Sequence, residues 1–439
     1  MFLWYTAAAV FSAAHVLARN PLATNDQREL DLLSMALAKD SSFEPHKQEA
    51  RTQYTNALKK YGMVMNKEMN EQLDQAMDEL VFSSVQKAVN GDPTDPKVYW
   101  TDTAARPHDW FGLSVPGGRY SYDNPDCIYR IVPIDGKYSY KLKGRRFGNG
   151  TADSSFSLIS NPNSQNTVSA IYGRNLEVND DGSYEITISN KDSKSPNHIK
   201  SNFMAKQLFI RHNIGNWEKE TPDELTVEVE GNPKPFFPRT NASIIWDAGE
   251  NLKESAFFYG YGALDFKTLS QPRNNLLPPS ISTTLGTLTS QAFSFTSFKL
   301  QDDEALVITL TTGKATYWVL PITTGGLLTV DPEHNIVSFN NYQSMQNNNG
   351  SYTFVISAQD PKIYNWLNIT GVPQGTIMGR WQGLKPKDGS NNDINVWTSH
   401  VKFSELSNIL PKETRYISDD ERSQQLAERR RGYKRIHYQ

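Results

Sequence analysis

The sequence predicts a mainly β protein, with antiparallel sandwich or jelly-roll portions behind an N-terminal helical segment. Three observations predict it. From Pro93 onward, short runs rich in Val, Ile, Thr, Tyr and Phe alternate with polar residues or stay apolar throughout. Turn signals such as Asp135-Gly136, Asp180-Asp181-Gly182 and Asn349-Gly350 separate these runs. No helical period is interleaved among them, which argues against a parallel α/β sheet.

Taken in order, residues 1–18 read as a signal peptide. The stretch is apolar and alanine-rich, is broken by Thr6, Ser12 and His15, and is too short to span a bilayer well. Val16-Leu17-Ala18 offers small residues for cleavage before Arg19, although the leader carries no Lys or Arg. A buried N-terminal helix is the competing reading. Residues 19–92 read as helical. Asp26 and Glu29 suit a capping box ahead of Leu30, Leu33 and Leu37, and a second helix starts near Pro45. The third helix runs from about Asn66 to Val89 on a stripe of Met69, Leu73, Met77, Leu80 and Val85, and ends at Asn90-Gly91.

The β core spans 93–384, with strands expected at Ile128–Ile134, Tyr138–Leu142, Ser155–Ile159, Tyr184–Ile188, Leu225–Val229, Ala305–Leu310, Tyr317–Leu320 and Tyr352–Ile356. A long central loop near 241–298, marked by Pro272, Pro278 and Pro279, suggests a lid over a pocket. Residues 385–439 read as a polar, basic C-terminal tail ending in Glu428-Arg-Arg-Arg-Gly-Tyr-Lys-Arg435. That run is either solvated or strapped onto an acidic surface of the same protein.

Composition narrows the function classes. The chain has 439 residues, 38% of them hydrophobic. With a mean hydropathy of -0.58, this excludes a multi-spanning membrane protein, and no membrane span is expected after leader cleavage. A net charge of -3 gives no electrostatic reason to expect nucleic acid as a partner. Cys127 is the only cysteine, so no intramolecular disulfide can form. Sequons at Asn149, Asn241, Asn349 and Asn368 agree with a secreted or lumenal glycoprotein. There is no H-E-x-x-H, no paired-cysteine metal pattern and no P-loop, so neither a metal nor a cofactor is expected. Gly112-Leu-Ser-Val-Pro116 lacks the closing glycine of a nucleophile elbow, and Gly260-Tyr-Gly262 lacks the third glycine of a dinucleotide loop.

Three stretches carry a resemblance: Asp123–Asp135 with Tyr138–Arg145; Asp181–Ile188 with Leu208–Arg211, Trp217 and Pro222–Val227; and Asp360–Gly371 with Gly375, Arg380 and Trp381. Together, over roughly Asp95 to Gly383, they resemble a bacterial and fungal family of domains of unknown function, β-sandwich proteins with added helices. The resemblance carries no established reaction. Some fungal relatives lie beside natural-product genes, which implies work on a small organic molecule. Asn368 stands where the family more usually has aspartate.

The candidate catalytic residues are Tyr129, Arg130 and Arg211, as hydrogen-bond donors to a carbonyl or carboxylate. Asp126, Trp217 and Tyr259 are the candidate substrate-binding residues. In an alternating strand Tyr129 and Arg130 would face opposite sides. The plainer alternative makes Asp123 to Asp126 a turn entering a strand and Arg130 and Arg211 partners of buried acids. Two function classes remain. One is a cofactor-independent cyclase, isomerase or pericyclase of secondary metabolism, which needs a shaped cavity and one or two donors. The other is a secreted glycan- or ligand-binding protein using aromatic platforms. The central loop tips the reading toward the enzyme; oligomeric state stays open.

Overall fold

A computed structural model describes residues 20–101, 108–119, 121–164, 166–234, 239–281, 288–369, 371–385 and 393–437; the leader at 1–18 lies outside them. Helix α1 (Asn25–Leu37) is capped by Thr24, whose hydroxyl accepts from Gln27 N at 3.1 Å, so the cap falls two residues before Asp26. Helix α2 (Glu44–Lys60) carries proline in its first turn. Helix α3 (Lys67–Val89) starts where Asn66 accepts from Met69 N and is buried on all sides from Glu79 onward. It is therefore the central rod of the helical layer.

Twenty strands are present among the described residues. The first sheet orders β1 (Tyr99–Thr101), β4 (Cys127–Pro133), β10 (Gln207–Asn213), β6 (Asp153–Ile159) and β7 (Thr167–Tyr172). The second orders β11 (Glu224–Val229), β5 (Tyr140–Arg145), β8 (Ser183–Ser189) and β9 (His198–Lys200). The third orders β12 (Ser280–Ile281), β13 (Ala292–Lys299), β19 (Gln374–Gln382), β15 (Tyr317–Thr323) and β16 (Ser338–Asn340). The fourth orders β18 (Trp366–Asn368), β17 (Tyr352–Ser357), β14 (Glu304–Leu310) and β20 (Val396–Lys402), and β2 (His108–Trp110) pairs with β3 (Leu113–Val115). Pairing is antiparallel except for β8 with β9 and β17 with β18.

The order is repeated. Strands β4 to β11 occupy the positions of β13 to β20, β1 that of β12, and each half keeps one parallel edge pair at the same place. The β portion of the chain is two copies of one sandwich. The first closes over Val132, Leu142, Phe156, Ile186 and Ile210. The second closes over Phe298, Ile308, Trp318, Phe354 and Ile377.

Two expectations are corrected. Most of the central segment near 241–298 is not loop. Thr240 and Ser243 form a capping box for helix α4 (Asn241–Ser255), whose Ile244, Ala248 and Leu252 are buried in the helical core. Two π-helical turns, Ala256–Tyr261 and Leu264–Leu269, continue it before the prolines. Nor is the region after 385 a structureless tail. It contributes β20, a short helix α5 (Leu406–Ile409) and helix α6 (Asp419–His437). Helix α6 straps the two sandwiches together, and its arginines mostly seek backbone carbonyls. Arg429 donates to Pro332 O and Ser338 Oγ, Arg435 to Trp217 O, and Tyr433 OH to Pro125 O.

Candidate functional site

One face of the first sheet packs on the second sheet and the other faces the helices. Strand alternation puts Arg211, Phe209, Tyr129 and Ile131 on the helix-facing side. Register then aligns them. Across β7, β6, β10, β4 and β1, Tyr172, Ser155, Arg211, Tyr129 and Thr101 stand in one row. Arg211 Nη1 donates to Ser157 Oγ at 3.2 Å, and its guanidinium lies 4.3 Å over the Phe209 ring. Phe209 stacks on Tyr129 with centroids 5.5 Å apart. The buried Ser155 Oγ meets no hydrogen-bond partner among the described residues, so this row keeps an unused polar group beside Arg211.

Tyr259 reaches the same place from the π-helical turn after α4. Its OH donates to Ser164 O at 3.1 Å, and its backbone O accepts from Ser121 Oγ. Gly260 permits the turn, because a side chain there would overlap Tyr54 OH, 2.4 Å away. Burial pushes the Tyr259 phenol up against the pull of Arg211, leaving it a hydrogen-bond donor. One step further along the sheet stands a residue sequence reading did not select. Asp153 pairs with Asn213, on the same face as Arg211, the two Cα atoms about 7–8 Å apart along the diagonal while the Arg211 guanidinium turns the other way, toward Phe209 and Ser157. Burial pushes its carboxyl up to about 6, against Arg174, Asn213 and Arg211, which pull it down. Such a group changes protonation close to neutrality, as a general acid or base must.

The remaining candidates lie elsewhere. Arg130 points into the first sandwich, away from Tyr129. Its Nη1 donates to Asp223 O at 2.7 Å, and its Nη2 lies 3.2 Å from His212 Nδ1. An arginine only donates, so Nδ1 accepts and His212 carries its proton on Nε2, 3.3 Å from Asp223 Oδ2 but poorly aligned. Burial pushes His212 down and Arg130 down to about 10. Burial would raise Asp223, but His212, Tyr184 and Arg146 outweigh it and hold the carboxyl low. This is an enclosed structural network, and Arg130 cannot converge with Tyr129 on one substrate.

Asp126 is buried at the junction of the sandwiches, where it accepts from Trp217 Nε1 (2.8 Å), Asn340 Nδ2 (2.9 Å) and Tyr317 OH (3.1 Å). Burial pushes its carboxyl up, opposed first by Arg429. Trp217 stacks on Tyr433 of α6, with centroids 4.4 Å apart. Asp126 and Trp217 therefore join domains and do not reach the Arg211 row. Among the sequons, Asn149, Asn241 and Asn349 are exposed, while Asn368 is half-buried in β18. No helix among the described residues is long and apolar enough to cross a membrane.

Comparison with known proteins gives one domain match and two structures with some likeness. Residues 296–381, most of the second sandwich, match a domain described as a protein of unknown function (DUF1214). Of the three stretches quoted above, only the third falls within this match. No curated protein matches the chain. An uncharacterized protein from Burkholderia cenocepacia has a similar structure, at 20% identity and a TM-score of 0.69, covering 85% of this chain and 100% of its own. A protein from Vibrio parahaemolyticus aligns at 12% identity and a TM-score of 0.42, over 74% of this chain and 99% of its own. The chain thus carries a domain of unknown function inside a fold it shares over most of its length with the Burkholderia protein.

Proposed function

We propose that the protein is a cofactor-independent small-molecule enzyme, an isomerase or cyclase that moves a proton, working in the secretory pathway. The observation that carries the reading is Asp153, with a carboxyl near 6, one register step from Arg211 on the helix-facing side of the first sheet. Arg211 and the Tyr129 phenol hold a substrate carbonyl oxygen and stabilise the enolate charge that develops on it. The Asp153 carboxylate takes the proton from the neighbouring carbon and, as the acid, returns it to another carbon of the same molecule. Atoms and charge balance with no further group. Secretory residence is supported by the exposure of Asn149, Asn241 and Asn349.

The test is deletion of the gene in its native host with metabolite profiling. An unrearranged precursor should accumulate, and purified protein should convert it. Asp153 acts as base, so turnover should fall as pH drops through about 6. Asp153→Asn and Arg211→Lys, both folded, should each slow conversion by on the order of 10²-fold. An unchanged profile, or full turnover by Asp153→Asn, overturns the reading.

A further inference from the structure

We propose a second site, independent of the Arg211 row, that binds a polyhydroxylated ligand of the sugar class where the two sandwiches meet α6. A cleft of about 170 Å³ opens there, with Trp217, Phe339, Tyr342, Gln343, Tyr364 and Glu428 among its walls. Tyr342 is 55% exposed yet is not a loose surface residue. Its ring lies against Gly215, where any side chain would come within 2.2 Å of Cδ2. The turn that carries it is fixed by Asn340, whose Oδ1 accepts from Tyr342 N (2.9 Å) and Gln343 N (3.1 Å). Asn340 is in turn held by Nδ2 donation to Asp126 Oδ2 and Gly215 O. The Cδ2–Cε2 side of the ring is thus packed and more than half of the residue stays open to solvent in a preset orientation, which lowers the ordering cost of stacking on it.

The polar walls specify donors. Gln343 Oε1 is buried and accepts no hydrogen bond among the described residues. Glu428 and Glu218 add carboxylates to the cleft, each with one oxygen already accepting, from Gln424 (3.0 Å) and Arg431 (3.1 Å), and the other available to a ligand. Arg429, the cation at its wall, is turned inward, donating to Pro332 O and Ser338 Oγ. The cleft therefore offers a flat aromatic face beside acceptors that need hydroxyl donors. A pyranose fits that pattern, with its C–H face on Tyr342 and its hydroxyls toward Gln343 and Glu428. An organic ammonium would need several free ring faces. Trp217 is already stacked on Tyr433, and Tyr364 carries the Arg415 guanidinium 5.1 Å from its ring, so neither offers one.

The experiment is saturation-transfer NMR on the purified full chain with glucose, galactose, mannose, xylose, N-acetylglucosamine and, as the competing class, choline. At least one sugar should bind, with Kd on the order of 1 mM, and choline should not. Tyr342→Ala should weaken sugar binding by on the order of tenfold. Gly215→Ala should do the same by displacing the ring while leaving its chemistry intact. Trp397→Ala, which removes another exposed aromatic outside the cleft, should leave binding unchanged. Arg211→Lys should also leave it unchanged, which separates this site from the proposed catalytic one. Binding of choline in place of sugars, failure of every sugar, or a folded Tyr342→Ala that binds like the wild type overturns the proposal.

Discussion

Truncating Asp126 to alanine should damage stability and leave the activity proposed for the Arg211 row alone. The carboxylate accepts from Trp217, Asn340 and Tyr317, which come from the first sandwich, β16 and β15. Tyr317 OH has a second acceptor in Asn124 Oδ1 at 3.3 Å and Asn340 Nδ2 keeps Gly215 O at 3.0 Å, so only Trp217 Nε1 loses its partner outright. A buried donor left unsatisfied costs about 1–3 kcal/mol. The loss is partly offset because the buried carboxyl is itself disfavoured, as its raised pKa records. The net cost is about 1–3 kcal/mol, an appreciable share of the roughly 5–15 kcal/mol that holds a typical protein together. Asp126→Asn keeps the shape and one acceptor oxygen, so it should cost less than alanine. Urea unfolding followed by both tryptophan fluorescence and circular dichroism is the assay, since two sandwiches can unfold in steps and the two probes would then diverge. Wild-type stability in Asp126→Ala, or lost turnover at wild-type stability, would refute the structural assignment and return Asp126 to the candidate substrate-binding residues.

Two further outcomes follow from burial and exposure. His437 donates from Nδ1 to Tyr433 O, and burial pushes it down from 6.5 to about 4. Below pH 6.5 the unfolded chain binds the extra proton, so stability falls as pH drops from 6.5 toward 4, by about 3 kcal/mol at the end of that window; His437→Phe should remove this component from unfolding curves run at pH 7, 5 and 4. In a eukaryotic secretory host, Asn149→Gln and Asn349→Gln should each remove one endoglycosidase-sensitive mass increment while Asn368→Gln removes none, and a chain without glycan would end the secretory assignment.

Legibility in the sequence followed the locality of the signal. Helix α3 was readable because Asn66, the Met69-Leu73-Met77-Leu80 stripe and Asn90-Gly91 are all local. The opposed faces of Tyr129 and Arg130 were readable from alternation alone. Helix α4 was missed although Thr240, Ile244, Ala248 and Leu252 spell a cap and a stripe. The prolines that suggested a loop lie beyond Ser270, in a different part of the segment. Asp153 was not legible at all. Gly150-Thr-Ala-Asp-Ser-Ser reads as a turn, and only the antiparallel register of β6 with β10 puts Asp153 on the face of the sheet that carries Arg211. The duplication was hidden for a related reason, since it resides in strand order and not in repeated residues.

That duplication supplies an internal control. Arg380 on β19 occupies the place of Arg211 on β10, and each faces the helical layer from the central strand of its sheet. Their flanks have diverged. Arg211 stands between Ser155 and Tyr129, whereas Arg380 stands between Val319 and Phe293. The partner of Asn213 is Asp153, while the partner of the equivalent Gln382 is Tyr317. Only the first copy thus sets hydroxyl residues directly opposite its arginine and a carboxyl on the diagonal, where the second copy has the Tyr317 phenol. Arg380 instead donates from Nη2 to the carbonyl of Tyr122, a residue whose φ of 38° is uncommon for a bulky side chain. Under the proposed function, one arginine is placed for chemistry and the other for holding a strained turn. Arg380→Met should cost about 1–3 kcal/mol, the usual cost of leaving a buried carbonyl unsatisfied, while turnover per folded molecule stays within a few-fold of wild type. Arg211→Met should reverse the pattern, melting near the wild-type temperature while losing precursor conversion. Thermal unfolding beside the conversion assay separates the two. If Arg380→Met abolishes conversion at an unchanged melting temperature, or Arg211→Met unfolds the chain, the division of roles between the two copies is wrong.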